Sequence, residues 1–552
     1  MDWPTIDVDP DLAARYRSEG WWDGKTLPTL VAESLERAAA STFRLHSRTR
    51  PWSGKLNDVA SLGRLISGGL KRRGIRPGDA VAFQLPNSVE AAAAFYGLAM
   101  LGAVLVPIAA SAGCRDLSLV VRESRAKALF VTNWRDAPFD FETLDELCGR
   151  SPALESVVAV GDSSCPAGVV PFTALTSGPA EVGIAAVDAA APAVIGWTSG
   201  STDKPKGVIL SHRALCAEVS SHIGPFTAFR KRPLASTSPI AHVTGMLLSV
   251  LAPAFAGHDI HLLDYWDASD VLKIMEEERV SAGSGVPLFL SSLLDHPSCT
   301  DSHRSLIDLS FLGGASVPPE LILRASELGI VAVRAYGCTE HITISMCTPR
   351  DPLARRIRTD GRLCAGVEVR IVTDAGTGQP HGRPGEVLSR GPELFSGYTN
   401  PALNADAFLD GWFRTGDIGV LDDDGYLQIL DRKKDIVIRA GMNISAAEIE
   451  SVMISMPNVA EVAIVAEPHP RTGERAVAVI RTAPGLAVPT VEQLRAHLAQ
   501  LGVAKYKWPE DIREIRGDFP RTPAGKIRKP DLRADLKRDQ PIWVTGRGGL
   551  SV

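Results

Sequence analysis

Apolar residues recur at helical spacing from Leu56 to Arg73 (LNDVASLGRLISGGLKRR), and the run ends in a basic turn before Gly74, which predicts an amphipathic helix. GIRPGDAVAFQLPNS follows, a Pro-Gly-Asp turn and then an unbroken apolar stretch, Ala80 to Leu85, that predicts a strand buried on both faces. Ser88 stands where it can cap a second helix, VEAAAAFYGLAMLGA, and LVPI reads as the next buried strand. Strand, helix and strand in this order predict doubly wound α/β layers. The alternation returns at Ala126–Val131, at Val194–Trp197 with a helix after Ser211, and at Leu309–Leu312 with a helix after Pro318.

From about Gly361 the pattern changes. VEVRIV, GEVLSRG and GYLQIL are short apolar or alternating runs between Gly, Pro and Asp turns, which predicts an antiparallel β-rich lobe. After Asp431 it changes again: AAEIESVMISM and VEQLRAHLAQLG read as helices, VAEVAIVAEP and RAVAVIRTA as strands. The expected architecture is therefore α/β, with a large N-terminal domain (1–431) of doubly wound layers plus the β-rich lobe. A small, mobile α+β C-terminal domain (432–552) follows, and PIWVTGRGGLSV is expected to be a loosely held tail.

Composition narrows the class. The chain has 552 residues, 45% hydrophobic and 22% charged, which excludes disordered and fibrous proteins. Lys+Arg 59 against Asp+Glu 64 leaves a net charge of −5, without the basic surplus expected of a nucleic-acid partner. Eight scattered cysteines without a CxxC read as reduced thiols. An acidic, polar N-terminus argues against a secretory signal. The longest apolar stretch, Val243–Gly257, is broken by Thr244, Gly245, Ser249 and Pro253 and falls short of the ~20 residues that span a bilayer. A cytoplasmic, multidomain protein without a membrane span is expected; the oligomeric state stays open.

Four segments carry chemistry. WTSGSTDKPKG (Trp197–Gly207) follows an apolar strand and packs hydroxyls, glycines and lysines into one turn-rich loop; small residues let backbone N–H groups approach a polyphosphate, and lysines offset its charge. It is not a Walker A loop, since Lys206 lies between Pro205 and Gly207; the competing reading is a flexible surface loop. AYGCTEHI (Ala335–Ile342) sets an aromatic ring, a glycine, a hydroxyl and a carboxylate together, and Glu340 is suited to Mg²⁺ shared with a substrate phosphate. Gly411–Glu450 contains Asp417 in a tight Thr-Gly-Asp turn, where a carboxylate can accept from both ribose hydroxyls. PRTPAGKIRK (Pro520–Lys529) presents Lys526 on a Pro/Gly-flanked loop.

In this order and spacing, over Leu56 to Lys529, the segments resemble the adenylate-forming superfamily of acyl-CoA synthetases, adenylation domains and luciferases. The phosphate loop matches TSG[ST]TGxPKG except at Asp203; the others match YGxTE, TGD, the [GD]RxKD…GxxxxxxEIE stretch and PxTxxGKxxK.

The resemblance implies roles. Thr198, Ser199, Gly200, Ser201, Thr202 and Lys206 hold the β- and γ-phosphates of ATP. Gly313, Gly314, Ala315 and Tyr336, beside Gly337, sandwich adenine. Thr339 contacts the α-phosphate, Glu340 holds Mg²⁺, and Asp417 and Arg432 grip the ribose. Lys526 bridges the attacking carboxylate and the phosphoryl oxygen, where charge stabilisation is the main catalytic need. Lys434 is the pivot of a swinging C-terminal domain, and Gly441 borders a pantetheine tunnel. Taken singly, Tyr336 also reads as a core aromatic, Arg432 as a surface cation, and Lys526 as part of an exposed basic strip with Arg521, Arg528 and Lys529.

Amino-acid-activating members carry an aspartate for the substrate ammonium; here the stretch reads TSPIAHVTGM, with His242 and no acid. The acid is therefore expected to lack an α-amino group. His242 resembles the family histidine that flanks the carboxylate, with a core histidine as the competing reading. Val243, Gly245, Met246 and Ile342 predict an apolar pocket for a fatty, alicyclic or aromatic acid. No carrier domain fits in residues 530–552, so coenzyme A is the expected acceptor. An acyl-AMP ligase loading a separate carrier protein is the alternative. A third is an inactive nucleotide-binding homologue, since Asp203 puts charge and bulk in the phosphate loop.

Overall fold

The computed structural model describes residues 3–545 apart from 135–136, 140, 142–146, 150, 162–164, 199–204, 441, 516, 522–525 and 539–542. Its largest sheet runs in the order Lys206–Ser211, Pro192–Thr198, Val104–Pro107, Ala80–Gln84, Ala128–Trp134, Ser156–Val160, Val169–Pro171. Its inner pairs are parallel, and only the pair Pro192–Thr198 and Lys206–Ser211, the arms around the predicted phosphate loop, is an antiparallel hairpin in this row. The apolar run of Ala80–Gln84 is buried at every position, as a central parallel strand requires.

Ser88 caps the helix Val89–Leu101 by accepting from the Ala91 N–H at 3.0 Å. That helix is buried nearly all round because the amphipathic helix Leu56–Arg72 covers it. The two approach through Gly63 and Gly97: a Cβ at Gly97 would lie 2.3 Å from the Gly63 carbonyl oxygen. Buried Asn87 then ties this layer to the segment before His242, donating to Leu263 O at 2.9 Å and accepting from the Ile240 N–H at 2.8 Å.

Leu309–Leu312 and Val331–Tyr336 form a second parallel pair joined through the helix Pro319–Glu327. The apolar stretch after His242 is helical in three pieces, Val243–Gly245, Met246–Leu251 and Ala252–Ala256, of which the middle one is a π-helical turn like Glu218–Ile223. No described helix is long and apolar enough to cross a membrane.

The β-rich lobe is the antiparallel sheet of Glu368–Val372, Gly385–Arg390, Trp412–Leu421, Phe408–Leu409 and Leu427–Arg432. Beyond it, Val459–His469 and Gly473–Thr482 form a long hairpin, packed against the helices Ala446–Met453 and Val491–Gln500 and extended by Asp511–Ile515 in parallel. Of the expected tail only Trp543–Thr545 is among the described residues, and there the structure differs from the expectation. Trp543–Thr545 pairs antiparallel with Asp511–Ile515, Arg513 opposite Thr545; the open edge of a sheet accepts a segment of high β-propensity such as WVT.

Candidate active site

Thr415–Asp417 lies within the strand Trp412–Leu421 and not in the expected turn, and antiparallel pairing with Leu427–Arg432 sets Asp417 opposite Arg432. Arg432 Nε is 3.3 Å from Asp417 Oδ1, and the Tyr336 hydroxyl donates to Asp417 Oδ2 at 2.6 Å. Burial pushes the Asp417 carboxyl up, with Arg432 and the Tyr336 hydrogen bond opposing it. Burial and the neighbouring Asp417 carboxylate push the Tyr336 phenol well above its ordinary value, so it remains a donor. The aromatic and the carboxylate expected at base and ribose thus stand in one wall.

Glu340 sits in the turn between Val331–Tyr336 and Ser345–Met346. Gly337 is required there, because a Cβ would lie 2.0 Å from the Ile342 carbonyl oxygen. The turn closes through Cys338 N–H to His341 O at 2.9 Å and His341 N–H to Cys338 O at 3.2 Å. Tyr398, 4% exposed, donates its hydroxyl to Glu340 Oε1 at 2.8 Å, and its ring centroid lies 5.5 Å from Lys206 Nζ. Thr339 reaches the large sheet over Gly196, where a Cβ would be 2.9 Å from the Thr339 methyl group. Thr198 ends one hairpin arm and Lys206 begins the other. Ser199, Gly200, Ser201, Thr202 and Asp203 lie outside the described residues, as does Gly441.

Beneath this turn is a buried network. His341 meets Ser389 Oγ through Nδ1 at 2.8 Å and Glu393 Oε1 through Nε2 at 3.0 Å. Thr343 donates to Glu218 Oε1 at 2.6 Å, and Glu218 Oε2 faces His222 Nδ1 at 3.2 Å. Burial alone would lower the His222 imidazole, but Glu393 and Glu218 outweigh it and push it up to about 9. Glu218, His222 and Glu393 are close enough to share a cation; as placed, they form an ion-pair and hydrogen-bond cluster that clamps the Glu340 turn to two other elements.

Lys526 arrives from the C-terminal domain. Its Cε lies 3.8 Å from where a Cβ would stand on Gly314, and Val286 Cγ1 is equally close. Gly314 has φ +75°, which favours glycine, and the bare position leaves the lysine room. Burial and the Arg432 cation hold the Lys526 amine below its ordinary value, opposed by Asp417, Cys338 and Glu340. His242 is lowered to about 4 by burial and by the Lys526 cation. Its Nδ1 accepts from the Thr244 N–H at 3.3 Å. The structure therefore gathers His242, Gly314, Tyr336, Glu340, Asp417, Arg432 and Lys526, with Gly313 and Ala315 flanking Gly314.

Lys434 falls between two fastenings. Lys433 Nζ pairs with Glu386 Oε2 at 3.1 Å in the lobe, whereas the Lys434 carbonyl and Asp435 Oδ1 accept from Arg533 at 3.2 and 2.6 Å. Lys434 itself is exposed.

Sequence reading missed Tyr398 and the His222 network. Tyr398 is 58 positions from Glu340, and FSGYTN carries only turn signals. Glu218 and His222 stand four apart beyond Ser211 with no motif around them.

A two-domain architecture with these side chains at one cleft defines an adenylate-forming enzyme. The AMP-binding enzyme model matches residues 57–399 and the AMP-binding enzyme C-terminal domain model residues 448–526, so the chain belongs to this family. It is an AMP-forming acid–CoA ligase of the acyl-CoA synthetase branch. It is 31% identical over 548 residues to a medium-chain fatty-acid–CoA ligase of Escherichia coli, covering 97% of this chain and 94% of the relative. To an indoleacetate–CoA ligase of Aromatoleum aromaticum it is 31% identical over 483 residues, covering 87% and 92%. ATP-bound MatB from Rhodopseudomonas palustris superposes with a TM-score of 0.81 at 25% identity, covering 93% and 99%.

Proposed function

We propose that the enzyme first joins a carboxylic acid to ATP and then passes the acyl group to coenzyme A. In the first step a carboxylate oxygen attacks the α-phosphorus, and the bond to pyrophosphate breaks. In the second the CoA thiol gives up its proton as its sulfur attacks the acyl carbon, and the bond from that carbon to the AMP phosphate oxygen breaks. The observation that carries this reading is Lys526, a C-terminal cation resting against Gly314 within the electrostatic reach of Asp417, Glu340 and His242. A lysine there offsets repulsion between two anions as they meet.

The other roles follow from position. Asp417, tied to Arg432 and Tyr336, accepts from the ribose hydroxyls, and Tyr336 lines the adenine with Gly313, Gly314 and Ala315. Lys206, Thr198 and the loop between them hold the outer phosphates, and Thr339 the α-phosphate. Glu340 is an oxygen donor of the type Mg²⁺ takes, fixed by Tyr398; the ion would neutralise phosphate charge. His242, uncharged near neutral pH, flanks the carboxylate. We place the domain boundary at 431/432 and the pivot at Lys434, whose neighbours are fastened to opposite sides. Gly441 borders the thiol path. The acid is fatty, alicyclic or aromatic without an α-amino group, in keeping with relatives named for a medium-chain fatty acid and for indoleacetate.

A panel of carboxylic acids, scored for AMP release with and without CoA, tests this. Acid-dependent AMP release with thioester formation on free CoA is expected; acyl transfer only to a carrier protein, or no acid-dependent turnover, would refute it.

A further inference from the structure

A pocket partly open to solvent lies behind Ser238 and Gly285, walled on its apolar side by Phe226, Leu248 and Phe311. It adjoins the reaction centre. Gly285 is bound into the strand that leads to Gly313, its N–H donating to Phe311 O at 2.7 Å and its carbonyl accepting from the Gly313 N–H at 3.0 Å. The next residue, Val286, stands with Lys526 around Gly314. Both π-helical turns flank this space, Glu218–Ile223 through Ile223 and Met246–Leu251 through Leu248.

The cavity is not the apolar pocket that Val243, Met246 and Ile342 suggest. Arg230 lines it and is 8% exposed. Its Nη1 donates to Leu309 O at 2.8 Å and its Nη2 to Ser284 Oγ at 2.9 Å, and among the described residues it has no carboxylate within ion-pair distance. A guanidinium offers five N–H donors, and burying its charge without a paired anion is costly. The charged and titratable groups around it do not supply one. Asp308 attracts it from beyond ion-pair distance; its Oδ2 accepts from the Lys231 N–H and its buried Oδ1 has no hydrogen-bond partner among the described residues. Asp259 Oδ1 accepts from the Thr42 N–H at 2.6 Å, and His258 is lowered by burial and by Arg230 itself. Thr227, Ser236 and Ser284 add hydroxyls to the same wall.

We propose that this cavity receives the far end of the acid and that Arg230 donates there to an oxygen of the substrate. The acid class is then one bearing a carbonyl or carboxylate oxygen remote from the reacting carboxylate, on an otherwise apolar skeleton. This rests on the ligase reading above and narrows its substrate. A plain hydrocarbon tail would leave the guanidinium facing apolar atoms, whereas a site built to hydrogen-bond a group rejects the analogue that lacks it.

The test uses three acids of one skeleton length, unsubstituted, with a terminal ketone, and with a terminal carboxylate, each assayed for AMP release and thioester formation. The wild-type kcat/KM should favour one or both oxygenated acids by about 100-fold; which of the two is preferred distinguishes a neutral from an anionic oxygen. In Arg230→Met the preference should collapse to about threefold or less, mainly through KM, and Arg230→Lys should restore part of it. Thermal melting reports whether each variant folds, since Arg230 also holds the Leu309 carbonyl. If Arg230→Met does not fold, Ser284→Ala, which frees Nη2, should cut the preference about tenfold. Equal or better turnover of the unsubstituted acid by wild type, or a preference that persists in the folded variants, overturns the inference while leaving the ligase reading intact. Failure of every acid to give CoA-dependent AMP release would instead remove the ligase reading.

Discussion

The Tyr398 hydroxyl donates to Glu340 Oε1 at 2.8 Å from a position 4% exposed, so the carboxylate at the tip of the Tyr336–Ser345 turn is aimed by a phenol from another part of the chain. Tyr398→Phe removes that donor and little volume. The half-saturating Mg²⁺ concentration for acyl-adenylate formation should rise about five- to tenfold, or about 1–1.4 kcal/mol, the scale of one ordinary hydrogen bond. An unchanged Mg²⁺ titration would dissociate Tyr398 from this role.

Lys526 contacts the site only from the C-terminal domain. Lys526→Ala should lower acid-dependent ATP–pyrophosphate exchange by at least about 100-fold, the scale on which single charge-stabilising donors act. Preformed acyl-adenylate should still yield thioester with CoA at a near wild-type rate. Equal loss in both half-reactions would contradict a role confined to the first.

A side chain at Gly441 is expected to separate the half-reactions in the opposite sense. Gly441→Leu should keep pyrophosphate exchange within about threefold and lose most thioester formation, because a thin chain needs a passage free of side chains. Both are measured in one reaction by following pyrophosphate and the CoA thiol. Full thioester formation would remove Gly441 from the thiol path.

Buried and half-buried histidines set opposing pH limits on stability. His222 is raised to about 9 against an unfolded value near 6.5, so its contribution is complete below about pH 6.5 and is lost as pH rises through about 9. His46, His212 and His242 are lowered to about 4, chiefly by burial, so their contribution is present above about pH 6.5 and is lost as pH falls toward 4. Calorimetric melting should show Tm falling on both sides of about pH 6.5. His222→Gln should flatten the alkaline limb between pH 6.5 and 9 and leave the acid limb in place; an alkaline limb unchanged in the variant would mean that the His222–Glu393–Glu218 pairing contributes nothing.

Much of the architecture was legible in the chain because it rests on local, periodic signals. The all-apolar strand Ala80–Gln84, the Ser88 cap and the amphipathic Leu56–Arg72 each declare their environment within a dozen residues. Gly337 was readable as part of a motif, and the structure supplies its reason, a carbonyl where a Cβ would stand. The pairing of Trp543–Thr545 with Asp511–Ile515 is not legible locally, because it depends on an open sheet edge that composition does not reveal. Tyr398 and Glu218 were passed over for a related reason: a lone tyrosine and a helical glutamate have ordinary local meanings.

By itself, then, the amino-acid order determined the layered α/β plan, the small terminal module and the residue types proposed to meet nucleotide phosphates, since periodicity and loop chemistry act over short distances. Only the tertiary structure decided that Asp417 faces Arg432 and Tyr336, that Lys526 reaches Gly314, and that Arg230 stands unpaired by any described carboxylate in the wall of a cavity. Those relations join residues tens to hundreds of positions apart. They are set by strand register, by close backbone approach at glycines and by the cost of burying charge, none of which exists until the chain has folded.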